Sequence, residues 1–247
     1  MQQRTFNRFE KKYLITDEQK NIILKTIESN LLYDQNIVDK KPYQIYNLYY
    51  DTEDYEFIRY SLSKPQYKDK VRLRSYHYPL EDQDLVFLEI KKKFEGRVNK
   101  RRIVLTYSEF KKFLTNEVEP SKDDYLNQQV FQEIDYLLKK STLKPKAYIA
   151  YERLALHNED DSLRVTFDQN IRYRKDDISF DQDQATPILD DQTLWLMEIK
   201  CSQNFPMWLT QLLSQNQIYA QSFSKYGKAY QKFITGETYE HITIPHT

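Results

Sequence analysis

The most constraining feature of this sequence is a series of strand-like segments in which charged residues recur at every second position. Strand side chains alternate between the two faces of a sheet, so residues i and i+2 point the same way. Arg72 and Arg74 are related in this way. The same spacing relates Arg8, Glu10 and Lys12; Glu89 and Lys91; Lys100 and Arg102; Tyr151 and Arg153; and Glu198 and Lys200. Arg164 and Asp168, four residues apart, also share a face. One face of the predicted sheet therefore carries mainly cations.

Two arrangements could produce this charged face. It could be the solvated face of an open sheet, which normally carries polar residues. Solvated faces usually mix Thr, Ser, Gln, Glu and Lys, however, whereas cations predominate here on successive strands. Like charges directly opposite each other across strands are also destabilising. The pattern therefore favours a sheet that curls with this face inward and forms a cationic tunnel, which a polyanion and a few carboxylates would neutralise.

Strand and helix patterns alternate along the chain. Alternation of β-branched and aromatic residues with polar ones predicts the strands, which are Thr5–Ile15, Tyr43–Tyr50, Lys70–Tyr78, Leu85–Lys93, Lys100–Tyr107, Lys146–Leu156, Ser162–Tyr173 and Leu194–Lys200. Capping residues and apolar stripes predict the helices, which run from Thr16 to about Leu32, from a cap at Ser108 to about Thr115, over Asp123–Lys140, from Pro206 onward, and from about Ser224 to Phe233.

The remaining segments indicate a single domain. Asp176–Gln192 is acidic, contains proline and has weak periodicity, so it is predicted to be an exposed loop. We find no interdomain linker and no repeat with a solenoid period. Residues 1–247 are therefore predicted to form one α+β domain with mostly antiparallel strands.

Charge and glycine content restrict the kind of ligand. Lys and Arg total 37, as do Asp and Glu, so the net charge is zero and a diffuse basic field for nucleic acid is absent. We expect no nucleic-acid partner. The chain has only 3 glycines and lacks the glycine-rich motifs of Rossmann and P-loop proteins. Side chains, rather than a glycine-rich loop, must bind any phosphate.

Cysteine content and hydropathy bear on the compartment. The one cysteine, Cys201, excludes an intramolecular disulfide and fits a reducing environment. Because it follows Lys200 directly, it is predicted to point toward the core. The N-terminal residues lack the apolar region of a signal peptide, and no apolar run reaches the ~20 residues that a membrane helix needs. We expect a cytoplasmic protein, and a separate membrane protein remains open as a partner.

The carboxylates of the charged face have two interpretations. Glu10, Glu89 and Glu198 could form salt bridges that orient the cations. One or more could instead bind Mg²⁺ or Mn²⁺, hard ions that take oxygen ligands and bridge to phosphates. A divalent ion together with many Arg and Lys side chains suits phosphoryl transfer, which depends on positioning and charge stabilisation. Asp51 is interpreted as a turn or helix-cap residue.

The segments occur in the order of a known family. The chain resembles the catalytic domain of the vacuolar transporter chaperone (VTC) family, polyphosphate polymerases within the triphosphate tunnel metalloenzyme superfamily. The similarity covers nearly the whole chain and rests on RFEKKYLI, NLYYDTEDYEFIRYSL, KVRLRSY, VFLEIKKKFEGRVNKRRI, YERLAL, LRVTFD, LMEIK and SFSKYG. It implies antiparallel strands closed into a tunnel, with helices packed outside. Arg8 stands where the wider superfamily has a carboxylate, as in the polymerase branch.

The resemblance also implies a set of site residues. By position, the phosphate ligands with catalytic roles are Lys12, Arg72, Arg74, Lys91, Lys100, Arg153 and Arg164. Substrate-binding roles are assigned to Arg8, Glu10, Glu89, Arg102, Tyr151, Lys200, Ser224 and Lys225. Glu198 is the expected metal ligand, for Mn²⁺ or Mg²⁺.

Three functions follow as hypotheses. The first is an ATP-dependent polyphosphate polymerase, of bacterial type, which transfers the γ-phosphate of ATP to the end of a growing chain. The second is a hydrolase of tripolyphosphate or of a nucleoside triphosphate. The third is a non-catalytic module that binds polyphosphate or nucleotide. The scarcity of carboxylates beside Lys12 weighs against the hydrolase.

Overall fold

The computed structural model describes residues 9–94, 97–115 and 125–236. Within these residues ten strands form one antiparallel sheet: β1 (Phe9–Ile15), β2 (Leu32–Tyr33), β3 (Tyr43–Asp51), β4 (Tyr67–Ser75), β5 (Leu85–Phe94), β6 (Arg97–Thr106), β7 (Lys144–His157), β8 (Leu163–Arg174), β9 (Thr186–Pro187) and β10 (Trp195–Cys201). The helices are α1 (Asp17–Ile27), α2 (Glu56–Leu62), α3 (Tyr107–Leu114), α4 (Tyr125–Lys140), α5 (Met207–Gln215) and α6 (Lys225–Tyr230), which continues as a π-helical turn over Gln231–Thr235. The predicted α+β class is confirmed.

The sheet is curled, and its hydrogen-bonded path remains open. The strand order is β1-β10-β8-β7-β3-β4-β5-β6, with β2 paired to β7 and β9 to β8. Lys91 Nζ of β5 nevertheless lies 3.4 Å from Glu10 Oε2 of β1. The prediction of a sheet closed by its strands is thus corrected for the described residues. Charged side chains of the inner face, rather than backbone pairing, bridge the gap between the two ends.

Irregular pairing accompanies the curl. β-Sheets have a right-handed twist along their strands, and β-bulges bend a strand further. The register shifts between Tyr49 and Tyr50 where β3 pairs with β7, and between Ala150 and Glu152 where β7 pairs with β8. Both irregularities involve β7, which lies in the middle of the path, so they bend the sheet between its two halves.

The convex outer face of the sheet is covered by two apolar layers. Ile23 and Ile27 of α1 pack with Leu209 of α5 against β1, β7, β8 and β10. Phe110 of α3 and Ile134 of α4 pack against β4, β5 and β6 in a second layer. These helices lie outside the curled sheet, as predicted, because the alternate strand residues on that face are apolar.

Two short helices lie on the other side. Tyr226 and Ala229 of α6, with Ile58 of α2, pack against apolar residues such as Leu14 and Leu196. Leu14 and Leu196 share a strand face with Lys12 and Glu198, respectively. The helices α2 and α6 therefore cover one end of the inner face, which corrects the prediction that all helices pack outside.

Several predicted boundaries shift. Helix α1 ends at Ile27, short of Leu32, because the following residues form β2 against β7. Helix α3 is capped by Thr106 rather than Ser108, since Thr106 and Glu109 form a reciprocal capping box. Strand β4 begins at Tyr67 and ends at Ser75, three residues before the predicted limit at each end. Residues 5–8 and 123–124, also predicted as strand and helix, lie outside the described residues.

Three smaller predictions are resolved by the structure. The segment 176–192 contains the short strand β9 and the buried residues Phe180 and Ile188, so it is only partly an exposed loop. Asp51 is buried and accepts hydrogen bonds from the backbone N–H groups of Phe57 and Ile58, which confirms its role at a helix N-terminus. Cys201 is buried in the core, as predicted. In the described segments no helix is long and apolar enough to cross a membrane.

Candidate functional site

The inner face of the curled sheet gathers cations from strands that are distant in the sequence. Pairing places Lys12 of β1 opposite Glu198 of β10, and Lys200 of β10 opposite Arg164 of β8. In the other half, Arg72 of β4 lies opposite Glu89 of β5. The residues that share this inner face, as defined by strand alternation, are Glu10, Lys12, Lys70, Arg72, Arg74, Glu89, Lys91, Lys100, Arg102, Tyr151, Arg153, Arg164, Asp168, Glu198 and Lys200.

Glu198 is the centre of one ion-pair group. Its carboxylate lies 2.6 Å from Lys200 Nζ and 3.7 Å from Lys12 Nζ. Lys12 also contacts Glu10 at 3.2 Å and donates to the carbonyl oxygen of Phe223 at 2.9 Å. Burial acts to raise the pKa of Glu198, but Lys200 and Lys12 hold that pKa well below its usual range. The same balance, with Lys91 and Lys12 opposing burial, lowers the pKa of Glu10 to about 2.

Glu89 is the centre of a second group. It is 2% exposed, and its two oxygens lie 2.6 Å from Arg72 Nε and 2.6 Å from Lys100 Nζ. Burial opposes its ionisation, yet Arg72, Arg74 and Lys100 hold its pKa well below the usual range. This geometry fits the interpretation of Glu89 as a carboxylate whose salt bridges orient the neighbouring cations.

Asp168 is the centre of a third group. Its carboxylate is fully buried and accepts two hydrogen bonds from Arg153, at 2.6 and 2.7 Å, and one from Lys225 at 2.5 Å. The Tyr151 ring lies beneath both cations, with Lys225 Nζ 4.3 Å from its centroid. Burial acts to raise the pKa of Tyr151, but Arg153, Arg74 and Lys225 lower it to about 8.

Of the inner-face cations named above, Arg74, Lys70 and the exposed Arg102 lack a carboxylate partner in the described part of the chain. Arg74 is buried and donates to Asn47 Oδ1 at 3.1 Å and to the Tyr151 hydroxyl at 3.4 Å. Lys70 donates to the Ser224 hydroxyl at 3.1 Å. Ser224 also caps α6, since it accepts from the Gly227 N–H. Arg74 and Lys70 face the concave space with neutral partners, which leaves charge available for an anion.

Three other predicted site residues do not belong to these groups. Arg164 pairs with the buried carboxylate of Asp34 rather than with Asp168. Arg102 is exposed on the end strand β6, and its guanidinium lies 5.3 Å from the centroid of Phe87. Arg8 lies outside the described residues. The remaining predicted residues come together on the inner face, whereas the roles assigned to them stay predictions.

Several residues of this site are not among those predicted from the sequence. Lys70 shares the strand alternation of Arg72 and Arg74, so the pattern itself could have identified it. Asn47, which orients Arg74, and Asp34, which binds Arg164, have no local signal in the sequence. Each lies far along the chain from its partner.

The carboxylates suit a metal ion only in part. Hard divalent ions take oxygen ligands, and Mg²⁺ is commonly bound through one or two carboxylates together with substrate phosphates. Glu10 and Glu198 converge on Lys12, so both could face one ion. The described segments contain no cluster of three or more His, Cys, Asp or Glu residues that could hold a metal. These residues therefore fit an ion shared with a phosphate ligand, and they do not form an all-protein cage.

Comparison with known proteins bears directly on the family. The VTC domain family model matches residues 7–234. The chain belongs to the VTC domain family. A comparison with curated proteins gives no match.

Solved structures resemble this VTC domain in fold. A candidate adenylate cyclase from Bacillus halodurans is 14% identical over 94% of this chain and 100% of that chain, with a TM-score of 0.54. Another, from Vibrio parahaemolyticus, is 10% identical over 92% of this chain and 98% of that chain, with a TM-score of 0.47. At 14% identity the first similarity shows a shared fold.

Proposed function

We propose that this VTC domain is an ATP-dependent polyphosphate polymerase that transfers the γ-phosphate of ATP to the end of a polyphosphate chain held in the curled sheet. The cations of the inner face would bind successive phosphates. Arg74 and Lys70 already face the concave space, and neither has a carboxylate partner in the part of the chain that the structure describes. Membership of the VTC domain family supports this assignment.

The main support for this proposal is that the inner-face carboxylates are ion-paired and have lowered pKa values. Glu10, Glu89, Asp168 and Glu198 all contact Lys or Arg side chains, and all have lowered pKa values. Such carboxylates are weak bases and are poorly suited to remove a proton from water. A terminal phosphate needs no such base, because it is already largely ionised at neutral pH. The geometry therefore favours a phosphate nucleophile over hydrolysis.

The proposed step uses the inner face for positioning and charge stabilisation. An oxygen of the terminal phosphate of the chain forms a bond to the γ-phosphorus of ATP, while the bond between that phosphorus and the β–γ bridging oxygen breaks. ADP leaves with the electron pair. Arg72, Arg74 and Arg153 would hold the equatorial oxygens, since planar guanidinium groups match phosphate geometry. Lys12 and Lys200 would neutralise the opposite side.

A divalent cation, Mn²⁺ or Mg²⁺, is proposed as the cofactor. Glu198, with Glu10 beside it, would hold the ion against the phosphates. When bound, the ion supplies further neutralisation of the triphosphate charge. Lys200 and Lys12 keep Glu198 ionised, so it is able to accept the ion at neutral pH.

The test is a product analysis with purified protein, ATP and Mn²⁺. A polymerase yields ADP and long-chain polyphosphate, whereas a hydrolase yields ADP and free phosphate. The Arg74→Met variant should lose the polymer, while Lys92→Met should keep it. Lys92 lies on the outer face next to Lys91 and pairs with Glu133 at 2.5 Å, so it controls for the loss of one positive charge.

Each outcome has a defined meaning. Polymer formation that Arg74→Met leaves unchanged would indicate a contaminating enzyme and overturn the assignment. Free phosphate as the main product would establish the hydrolase. Binding of ATP or polyphosphate without any product would establish the non-catalytic module. Release of pyrophosphate with a cyclic nucleotide would instead match the activity for which the structural relative from Bacillus halodurans is named.

A further inference from the structure

Lys70 differs in its partners from five other lysines of this region. Those that contact a carboxylate of the inner face are Lys12, Lys91, Lys100, Lys200 and Lys225. Lys70 makes no ion pair with any described residue. Its ammonium donates to the neutral hydroxyl of Ser224 at 3.1 Å. The hydroxyl thus holds this charge in place, and no described carboxylate neutralises it.

The surroundings of Lys70 are cationic on several sides. Lys12 of β1 and Lys91 of β5 face it from two other strands, and Lys68 and Arg72 flank it on β4. Tyr49 of β3, Tyr226 of α6 and apolar Ile58 of α2 line a small pocket together with Lys70. Burial, followed by repulsion from these cations, lowers the pKa of Lys70 to about 7.

We propose that Lys70 is a further phosphate-binding residue of the inner face, which Ser224 holds in position until a bound polyanion supplies the counter-charge that no described residue provides. The inference rests on the proposed binding of polyphosphate to the inner face. It adds a residue of β4 that lies opposite Lys91 of β5 and hydrogen-bonds to the capping residue of α6.

Proton uptake on binding is the consequence that distinguishes this role. In the empty protein Lys70 is largely neutral above pH 7, because its ammonium form is destabilised there. A polyanion favours the charged form and raises the pKa, so the neutral amine of Lys70 takes up a proton and becomes an ammonium as the ligand binds. The affinity for tripolyphosphate should therefore fall as the pH rises above about 7. An arginine at this position remains charged, so the affinity of the variant should depend less on pH.

The experiment is calorimetric titration of the full chain with tripolyphosphate at pH 8, in two buffers of different ionisation enthalpy. The difference in measured heat gives the protons taken up. Wild type is compared with Lys70→Arg, which keeps the charge, with Lys70→Met, which removes it, and with Lys92→Met on the outer face. Any titration of the ligand itself is common to all four proteins, so differences between them report on the lysines.

Three results are expected if Lys70 binds phosphate. Lys70→Arg and Lys70→Met should both take up fewer protons than wild type. Lys70→Met should bind about tenfold more weakly at pH 6.5, where Lys70 is charged, as for the loss of a charge-assisted hydrogen bond. Lys70→Arg should bind with an affinity that varies less than that of wild type between pH 6.5 and 8.5, and Lys92→Met should match wild type.

The possible failures are distinguishable. If wild type does not bind tripolyphosphate, the proposed function fails. If wild type binds but both Lys70 variants show its proton uptake and pH profile, Lys70 is not a phosphate ligand, while the proposed function stands. A loss of folding in Lys70→Met would be seen in its melting curve, and Lys70→Arg would then decide the question alone.

Discussion

At the scale of single residues, Glu198 combines burial with an ionised carboxylate held by two lysines. Replacement by glutamine keeps size and hydrogen bonding but removes the charge that would hold a divalent ion. We expect Glu198→Gln to abolish metal-dependent turnover while the melting temperature changes by only a few degrees. The measurement is turnover against Mn²⁺ concentration. Full activity at ordinary Mn²⁺ would refute the metal assignment, and Glu133→Gln on the outer face is the matched control.

Arg72 and Arg74 share a strand face but differ in their partners. Arg72 pairs with buried Glu89, whereas Arg74 contacts only neutral groups among the described residues and is repelled by Arg72. Both variants, Arg72→Met and Arg74→Met, should lower turnover about 100-fold, as for the loss of a charge-stabilising donor. Only Arg72→Met should cost about 1–3 kcal/mol of stability, because it leaves Glu89 underpaired.

Melting curves and turnover of the same two variants test this difference. The double variant Arg72→Met/Glu89→Gln should regain part of the lost stability without regaining turnover. If both single variants retained full activity, the charged face would be an ordinary solvated surface.

At the scale of elements, α6 depends on one of the few glycines of the chain. A Cβ on Gly227 would lie 3.1 Å from Leu62 Cδ2 and 3.2 Å from Ser224 Oγ. The Ser224 hydroxyl both caps α6 and accepts from Lys70, so a displaced hydroxyl would disturb both contacts. A small residue is therefore required where the cap approaches the helix this closely.

We expect Gly227→Ala to weaken tripolyphosphate binding about fivefold, equivalent to ~1 kcal/mol. Stability should change little, because the better helix propensity of alanine, ~1 kcal/mol, offsets the weakened cap. Calorimetry and melting curves measure the two effects separately. Ser224→Ala, which removes the hydroxyl without a clash, should weaken binding similarly. Unchanged affinity in both variants would show that the cap does not position a ligand contact.

The capping boxes and the strand alternation were predictable because both are local patterns. Thr16 and Gln19 stand three residues apart and form the predicted capping box. The position of α6 on the inner face was not predictable, because it depends on contacts such as that between Lys70 and Ser224, which are 154 residues apart. A local sequence pattern does not indicate which residues so far apart along the chain contact each other.

At the scale of the whole molecule, the cations of the inner face repel one another. Loss of protons from its lysines at higher pH reduces this repulsion. Burial, with Arg74 and Arg72 opposing Glu89, lowers the pKa of Lys100 to about 7, and the pKa of Lys70 is also about 7. The pKa of Lys100 is lowered even though 42% of its side chain is exposed to solvent, because its ammonium lies within the concave face. An unfolded chain keeps both lysines near the ordinary value of 10.5.

The sign of the pH effect follows from proton binding. Between pH 7 and 10.5 the unfolded chain binds more protons at these lysines than the folded chain does, so stability rises with pH. The pKa of Tyr151, lowered to about 8, acts in the same direction between pH 8 and 10. We expect the melting temperature of the ligand-free protein to rise from pH 7 to 9 in a phosphate-free buffer. Lys70→Met should show a smaller rise. A fall in wild type would contradict the lowered lysine pKa values.

A bound polyanion should relieve the same repulsion in the folded state. At a hundredfold excess over Kd, tripolyphosphate should add roughly 2.7 kcal/mol to the free energy of unfolding. For a domain of this size the melting temperature should rise by roughly 5–10 °C. Pyrophosphate should have a smaller effect, and sulfate at equal ionic strength very little. Equal shifts from sulfate and tripolyphosphate would indicate general charge screening and would refute a tunnel for linear phosphates.

The sequence by itself determined the features that depend on nearest neighbours along the chain. Strand alternation placed Arg72 with Arg74 and Glu198 with Lys200, because a strand repeats every two residues. The order of the motifs identified the family. Apolar stripes also located α4, since Val130 and Ile134 lie one helical turn apart and are buried together.

Only the tertiary structure decided which charges meet. Arg153 shares Asp168 with Lys225 of α6, Arg164 is held by Asp34, and Lys70 receives no carboxylate from any described residue. Strand register, the curl of the sheet and the seating of α6 set these pairings, and each depends on contacts between distant segments. Ion pairs form wherever the fold brings opposite charges within about 4 Å, and spacing along the chain does not specify that distance.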